Sequence, residues 1–133
     1  MKGHQVLDLE QLGKHKGSVL GCYYHTNEEQ PSQKYFESLV IEKLLEFSPD
    51  RPVWVEGEGS KIGKLHTPRT LLEKIYNSPA FIVEVPLAER IAYILKDYAY
   101  ITTDPERLAQ QLNKLRRICG NAQVDGWLKL VSS

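Results

Sequence analysis

Lysine, histidine, serine and glycine gather on two stretches of this chain, and together they supply the groups that hold phosphate. The first stretch is Lys14, His15, Lys16, Gly17 and Ser18; the second runs from Glu56 through Glu58, Ser60, Lys61 and Gly63 to His66. Glycine lets amide N–H groups approach an anion closely, and lysine supplies the opposing charge. A short apolar run, Val53-Trp-Val55, leads into the second stretch, and Thr67-Pro68 opens a helix beyond it. Strand, charged glycine loop and helix N-terminus in this order build anion sites in α/β proteins. Glu56, at the strand end, suits either a metal-bound water or an ion pair with Lys61.

Several sharper motifs fail on spacing. Gly59-Ser-Lys-Ile-Gly-Lys64 approaches a phosphate-binding loop, but Glu58 occupies the first glycine position and Leu65 replaces the Ser/Thr that would touch magnesium. Gly57, Gly59 and Gly63 are one residue too long for the dinucleotide fingerprint. His4, His15, His25 and His66 lack metal-ligand spacing, so no metal site is expected. Glu56 and Glu58 alternate along an extended segment and make a poor acid/base pair. No catalytic residue is assigned. Taken alone, the second stretch reads equally well as a glycine-rich turn carrying solvated charges.

The elements that must position these residues follow from periodicity. Gln5 to Leu9 reads as a first strand, followed by a polar loop that runs irregularly to Pro31. Ser32 caps a helix with Phe36, Leu39, Val40, Leu44 and Phe47 on one stripe. Val53 to Glu56 is a second strand, and Gly57 to His66 its loop. Thr67 and Pro68 start a helix bearing Leu71, Leu72, Ile75 and Tyr76. Ala80 to Val85 reads as a third strand, buried on both faces. It is followed through Glu84 and Pro86 by a helix whose Leu87, Ile91, Ile94, Leu95 and Tyr98 face inward. Thr103 to Glu106 reads as a capping box for a helix with Leu108, Leu112, Leu115 and Ile118. Gly120 ends that helix, and a last one holds Trp127, Leu128 and Val131.

Strands alternating with amphipathic helices imply an α/β fold with parallel pairing and right-handed crossovers. The expectation is a three-layer arrangement: a short parallel sheet of about three strands, flanking helices and a helical carboxyl terminus over 104–133. The 133 residues are expected to form one domain, itself part of a larger one. Lys+Arg and Asp+Glu both number 17, so any nucleic-acid contact must come from a local patch. Arg107, Lys114, Arg116 and Arg117 make the carboxyl-terminal third locally basic, which reads first as a solvated helix face. Cys22 and Cys119 form no paired motif and read as inert thiols of a reduced, cytoplasmic protein; Cys119 falls on an apolar helix stripe. No signal or membrane-spanning segment is evident, so no membrane partner is expected.

An ordered series of segments adds a family. Val6-Leu-Asp-Leu-Glu10 with Leu12, His15-Lys-Gly-Ser18, Gln30-Pro-Ser-Gln33 with Phe36-Glu37, Val53-Trp-Val-Glu56 with Glu58, Ile62-Gly63, and His66 with Pro68 together resemble the second half of tRNA 2-selenouridine synthase. The resemblance continues through Ala80-Phe-Ile-Val-Glu84, Pro86, Glu89-Arg90 and Tyr98, and it extends to the region of Trp127. It implies a P-loop NTPase-like fold, here partial: the stretch matched follows the family's first P-loop strand and carries neither its Walker A sequence nor its rhodanese domain. That family replaces sulfur by selenium in wobble 2-thiouridine, with selenophosphate as co-substrate, and is linked to geranylation of the same base. The implied partners are the anticodon arm of tRNA and the rhodanese domain, in cis or in trans. No cofactor is expected in this chain, which should not complete the reaction alone. The family's Asp-Glu-Ser-Arg reads here as Gly57-Glu58-Gly59-Ser60, with Lys61 the nearest basic residue. Carried over as site lining are His15, Lys16, Gly17, Ser18, Glu56, Glu58, Ile62, Gly63 and His66, with fold maintenance as the alternative role, packing in the case of Ile62. Ser60 and Lys61 join them from the loop reading.

Two rival functions remain on the sequence. One is a nucleotide- or phosphate-binding, kinase-like fragment with no RNA role. The other is a non-catalytic α/β scaffold that docks on a missing amino-terminal half, or on itself through an exposed sheet edge.

Overall fold

A computed structural model describes residues 3–21, 29–57 and 59–131, which fall into two compact units. The first holds the described residues up to Ala80. Its strand β1 (Gln5–Leu7) pairs in parallel with β2 (Val53–Val55), in the register Gln5 to Val53, Val6 to Trp54 and Leu7 to Val55. The Gln5 side chain fixes where the chain enters β2. Its amide donates to the carbonyls of Ser48 (3.2 Å) and Arg51 (3.0 Å) and accepts the Ser48 N–H at 2.6 Å. Parallel pairing of the first two strands is therefore as expected, with β1 two residues shorter.

Asp8 turns out of β1 with extended backbone and accepts the Gln11 N–H at 2.7 Å, capping the short helix α1 (Leu9–Leu12) inside what reads as loop. Ser32 caps α2 (Gln33–Leu45) through a 3.2 Å bond from the Tyr35 N–H. Phe36 and Val40, one turn apart, drop into a core made with Leu7, Leu9, Ile62 and Leu65. Phe47 and Val55 lie against its margin with Leu71 and Ile75 of α3 (Arg69–Tyr76). Such side chains, fully buried, each contribute about 1.5–3 kcal/mol.

Ile62 and Leu65 reach that core from an antiparallel hairpin, β3 (Lys61–Ile62) and β4 (Leu65–His66). The stretch read as plain loop thus contains a second small sheet. The helix start at Thr67-Pro68 also differs. Pro68 is itself the cap of α3 and makes no side-chain cap bond, while Thr67 is buried at 6% exposure and its hydroxyl has no partner among the described residues.

The second unit begins at Phe81. Residues 79–86 form no strand, and Phe81, Ile82 and Val83 are 75%, 89% and 82% exposed. The buried third strand is thus not observed: a nearly all-apolar run becomes a strand only beside another strand, and the strands among the described residues pair only β1 with β2 and β3 with β4. Helix α4 (Leu87–Asp97) follows, with Leu87, Ile91, Ile94 and Leu95 exposed rather than inward. Tyr98 then stacks on Tyr100 at 6.0 Å in a 3-10 turn region, and Ile101 is buried. Asp104, not Thr103, caps α5 (Pro105–Asn113), accepting the Arg107 N–H at 3.0 Å.

The expected long helix breaks after Asn113, and α6 (Arg116–Cys119) is a separate turn closed by Gly120 at φ 82°. Ile118 and Cys119 are exposed, so neither lies on a buried stripe. Arg116 holds the break, donating to Asn113 (2.7 Å) and to Asp125 (2.6 Å) of α7 (Asn121–Val131). Leu112 and Val124 pack the α5–α7 side of this unit. No helix among the described residues is long and apolar enough to cross a membrane. Cys22 lies outside the described residues.

Candidate functional site

Two of the predicted stretches meet at Gly63. It turns the hairpin at φ 61°, a left-handed conformation that glycine adopts freely. A Cβ there would collide with the amide of Gln30 and would lie 2.7 Å from Cδ2 of His15. The hairpin tip therefore rests directly on the His15 ring.

That ring is fixed from its own loop. His15 Nδ1 accepts the Gly17 N–H at 3.0 Å, which Gly17 can offer at φ 67°. The neutral imidazole then carries its proton on Nε2 and presents a donor there. Burial pushes His15 below the ordinary imidazole value, so it is neutral at physiological pH. Because the unfolded chain binds this proton more readily, His15 erodes stability as pH falls through its unfolded value of 6.5. Lys16 closes the turn with its N–H on the Gly21 carbonyl (2.8 Å), and Ser18 accepts the Gly21 N–H at 2.9 Å. Lys14 precedes the turn in left-handed backbone, φ 50°.

On the hairpin side, Lys61, Lys64 and the His66 side chain are exposed, and the Ser60 carbonyl accepts the Thr67 N–H at 3.0 Å. His15, Lys16, Gly17, Ser18, Lys61 and Gly63 thus belong to two touching loops, with Lys64 added. The chain carries equal numbers of acidic and basic residues, yet these two loops are locally basic.

Glu56 does something else. Its carboxylate accepts the Glu10 N–H at 2.9 Å and so caps α1 from the end of the neighbouring strand, rather than pairing with Lys61. Burial raises its pKa above 4.5, helped by Asp8 and opposed by backbone N–H groups. A raised carboxyl loses stability for the fold as pH rises from its unfolded value through its folded one. Glu56→Gln keeps the acceptor and discards the charge. The variant is expected to gain stability relative to the parent as pH rises from about 4.5 toward neutrality. Denaturant melts across that range check this; a difference that stays flat or reverses would refute the burial account. Glu58 lies outside the described residues. Among the described residues, no group of three or more His, Cys, Asp and Glu is placed to hold a metal ion.

Two glutamines that sequence reasoning gave no role hold the hairpin in place. Gln30 donates to the carbonyls of Gly13 (3.0 Å) and Ile62 (2.9 Å) and accepts the Lys64 N–H at 2.8 Å. Gln33 donates to the His66 carbonyl and accepts the His66 N–H, both at 2.8 Å, and also reaches Glu37 at 2.8 Å. The available signal was Gln-Pro-Ser-Gln running into the first turn of a helix.

Comparison with known proteins bears on what this pair of loops serves. The family model described as the tRNA 2-selenouridine synthase AAA domain matches residues 1–128. A tRNA 2-selenouridine synthase of Nitrosomonas europaea is 36% identical over 114 residues, covering 84% of this chain and 28% of the relative. The namesake of Salmonella arizonae is 36% identical over 95 residues, 69% of this chain and 26% of the relative. That of Alcanivorax borkumensis is 36% identical over 95 residues, 70% of this chain and 25% of the relative. The chain thus spans about a quarter of the length of these curated relatives. No solved structure matches significantly. With the family model covering nearly every residue, the chain belongs to the tRNA 2-selenouridine synthase AAA domain family.

Proposed function

We propose that this chain is the tRNA- and phosphate-binding portion of an enzyme that replaces sulfur by selenium in wobble 2-thiouridine, using selenophosphate. The observation that carries the reading is the contact of the His15 turn with the Gly63 hairpin, which brings two basic, glycine-bearing loops together in a member of this family. Their lysines offer charge and the neutral His15 offers an Nε2 donor, a combination suited to phosphate oxygens. A partial P-loop-like fold and a cytoplasmic location go with this reading. The rhodanese domain, in cis or in trans, would supply the reacting cysteine, and this chain contributes binding rather than chemistry. The test is salt-dependent binding of an anticodon stem-loop, weakened and with a shallower salt slope when Lys16 and Lys61 are neutralised. ATP or pyrophosphate protecting the chain against heat while RNA does not would point instead to a kinase-like fragment.

The bare apolar run of Phe81, Ile82 and Val83, continued by exposed Leu87, Ile91 and Leu95, favours a second role as a scaffold that docks on further polypeptide of the same enzyme.

A further inference from the structure

We propose that Gln30 and Gln33 are positioning residues whose side chains set the Lys61–His66 hairpin against the His15 turn, and so set the geometry in which the two loops meet an anion. This rests on the phosphate-binding reading above. A hairpin of two-residue strands has too few ladder bonds to define itself. Gln33 supplies what a third strand would: its amide pairs with both backbone groups of His66. Gln30 completes the edge at the turn, satisfying Lys64 N–H and Ile62 C=O while bridging to the Gly13 carbonyl.

Both glutamines stand at the start of α2, on either side of its Ser32 cap, and α2 is anchored by fully buried Phe36 and Val40. The hairpin is thereby tied to the core through side chains some thirty residues away in sequence. Gly63 has no Cβ where the Gln30 amide and the His15 ring converge, so one amide touches both loops or their support.

Gln30→Met and Gln33→Met keep chain length and bulk while removing these hydrogen bonds. Two readouts separate the clamp from its use: amide hydrogen exchange at Lys64 and His66, and anisotropy of an anticodon stem-loop across a salt series, both on the full chain well below its melting temperature. Exchange is expected to quicken about tenfold or more at Lys64 in the first variant and at His66 in the second. RNA affinity should fall about tenfold, with a shallower salt slope, while amides in the α2 interior stay protected. Loss of protection throughout the chain would mean ordinary destabilisation and would overturn the proposal. So would unchanged exchange at the two amides, or a freed hairpin with unchanged RNA affinity and slope. If the parent chain binds no stem-loop, the phosphate-binding reading fails on its own, and exchange alone then decides whether the glutamines position the hairpin.

Discussion

Gly63→Ala is expected to destabilise the amino-terminal unit by about 3 kcal/mol or more. A non-glycine residue held in left-handed backbone costs roughly 1–3 kcal/mol, and the Gly63 turn sits at φ 61°. Steric conflict adds to this, because the new methyl would occupy space held by the Gln30 amide and by His15 Cδ2. Neither neighbour yields easily: Gln30 is tied by three hydrogen bonds and His15 by the Gly17 N–H. Denaturant unfolding gives the number directly. Gly57→Ala is the control, since a Cβ there meets nothing within 4 Å. Equal effects at the two glycines would mean that the hairpin does not sit on the His15 ring.

Phe36→Ala is the second large effect, expected at about 3–5 kcal/mol. Phe36 is 0% exposed and lies among Leu7, Leu9, Val40, Ile62 and Leu65, which come from β1, α1, α2 and the hairpin. Removing its ring leaves a cavity that β1, α2 and the hairpin line together, so collapse around it is difficult. The measurement is again equilibrium unfolding, with Tyr35→Ala as comparison, because Tyr35 is 59% exposed on the same helix turn. A cost below about 1 kcal/mol at Phe36 would place the core elsewhere.

How much of this was legible depended on how local each signal is. Ser32 and the Phe36–Val40 spacing specify α2 within one turn of chain, and both held. The β1–β2 pairing was readable because two short apolar strands flank a helix, an arrangement with one favoured handedness. The hairpin was not readable. Lys61 to His66 has weak strand character, and its order comes from Gln30 and Gln33 side chains that no periodicity reveals. Ala80 to Val85 failed for the opposite reason: its composition demands burial, but composition cannot supply the neighbouring strand. Thr67-Pro68 and Thr103-Asp104 show a smaller error of the same kind, since the residue that caps is chosen by backbone direction as well as by type.

The residues expected to bind phosphate divided on the same line. Gly17 and Gly63 were chosen for backbone geometry and His15 for its side chain, and the three converge in space. Glu56 was chosen for its charge at a strand end, and its charge is spent on the first turn of α1.

The most direct test of phosphate binding is fluorescence anisotropy of the chain against an anticodon stem-loop, carrying 2-thiouridine or uridine at the wobble position, over a salt series. The expected result is salt-sensitive binding whose log–log slope becomes shallower by roughly 1.5 when Lys16 and Lys61 are both replaced by alanine, the loss of about two phosphate contacts. Tighter binding of the thiolated arm would bring base recognition into this chain as well. No binding of either RNA, or a slope untouched by the double replacement, would contradict the account.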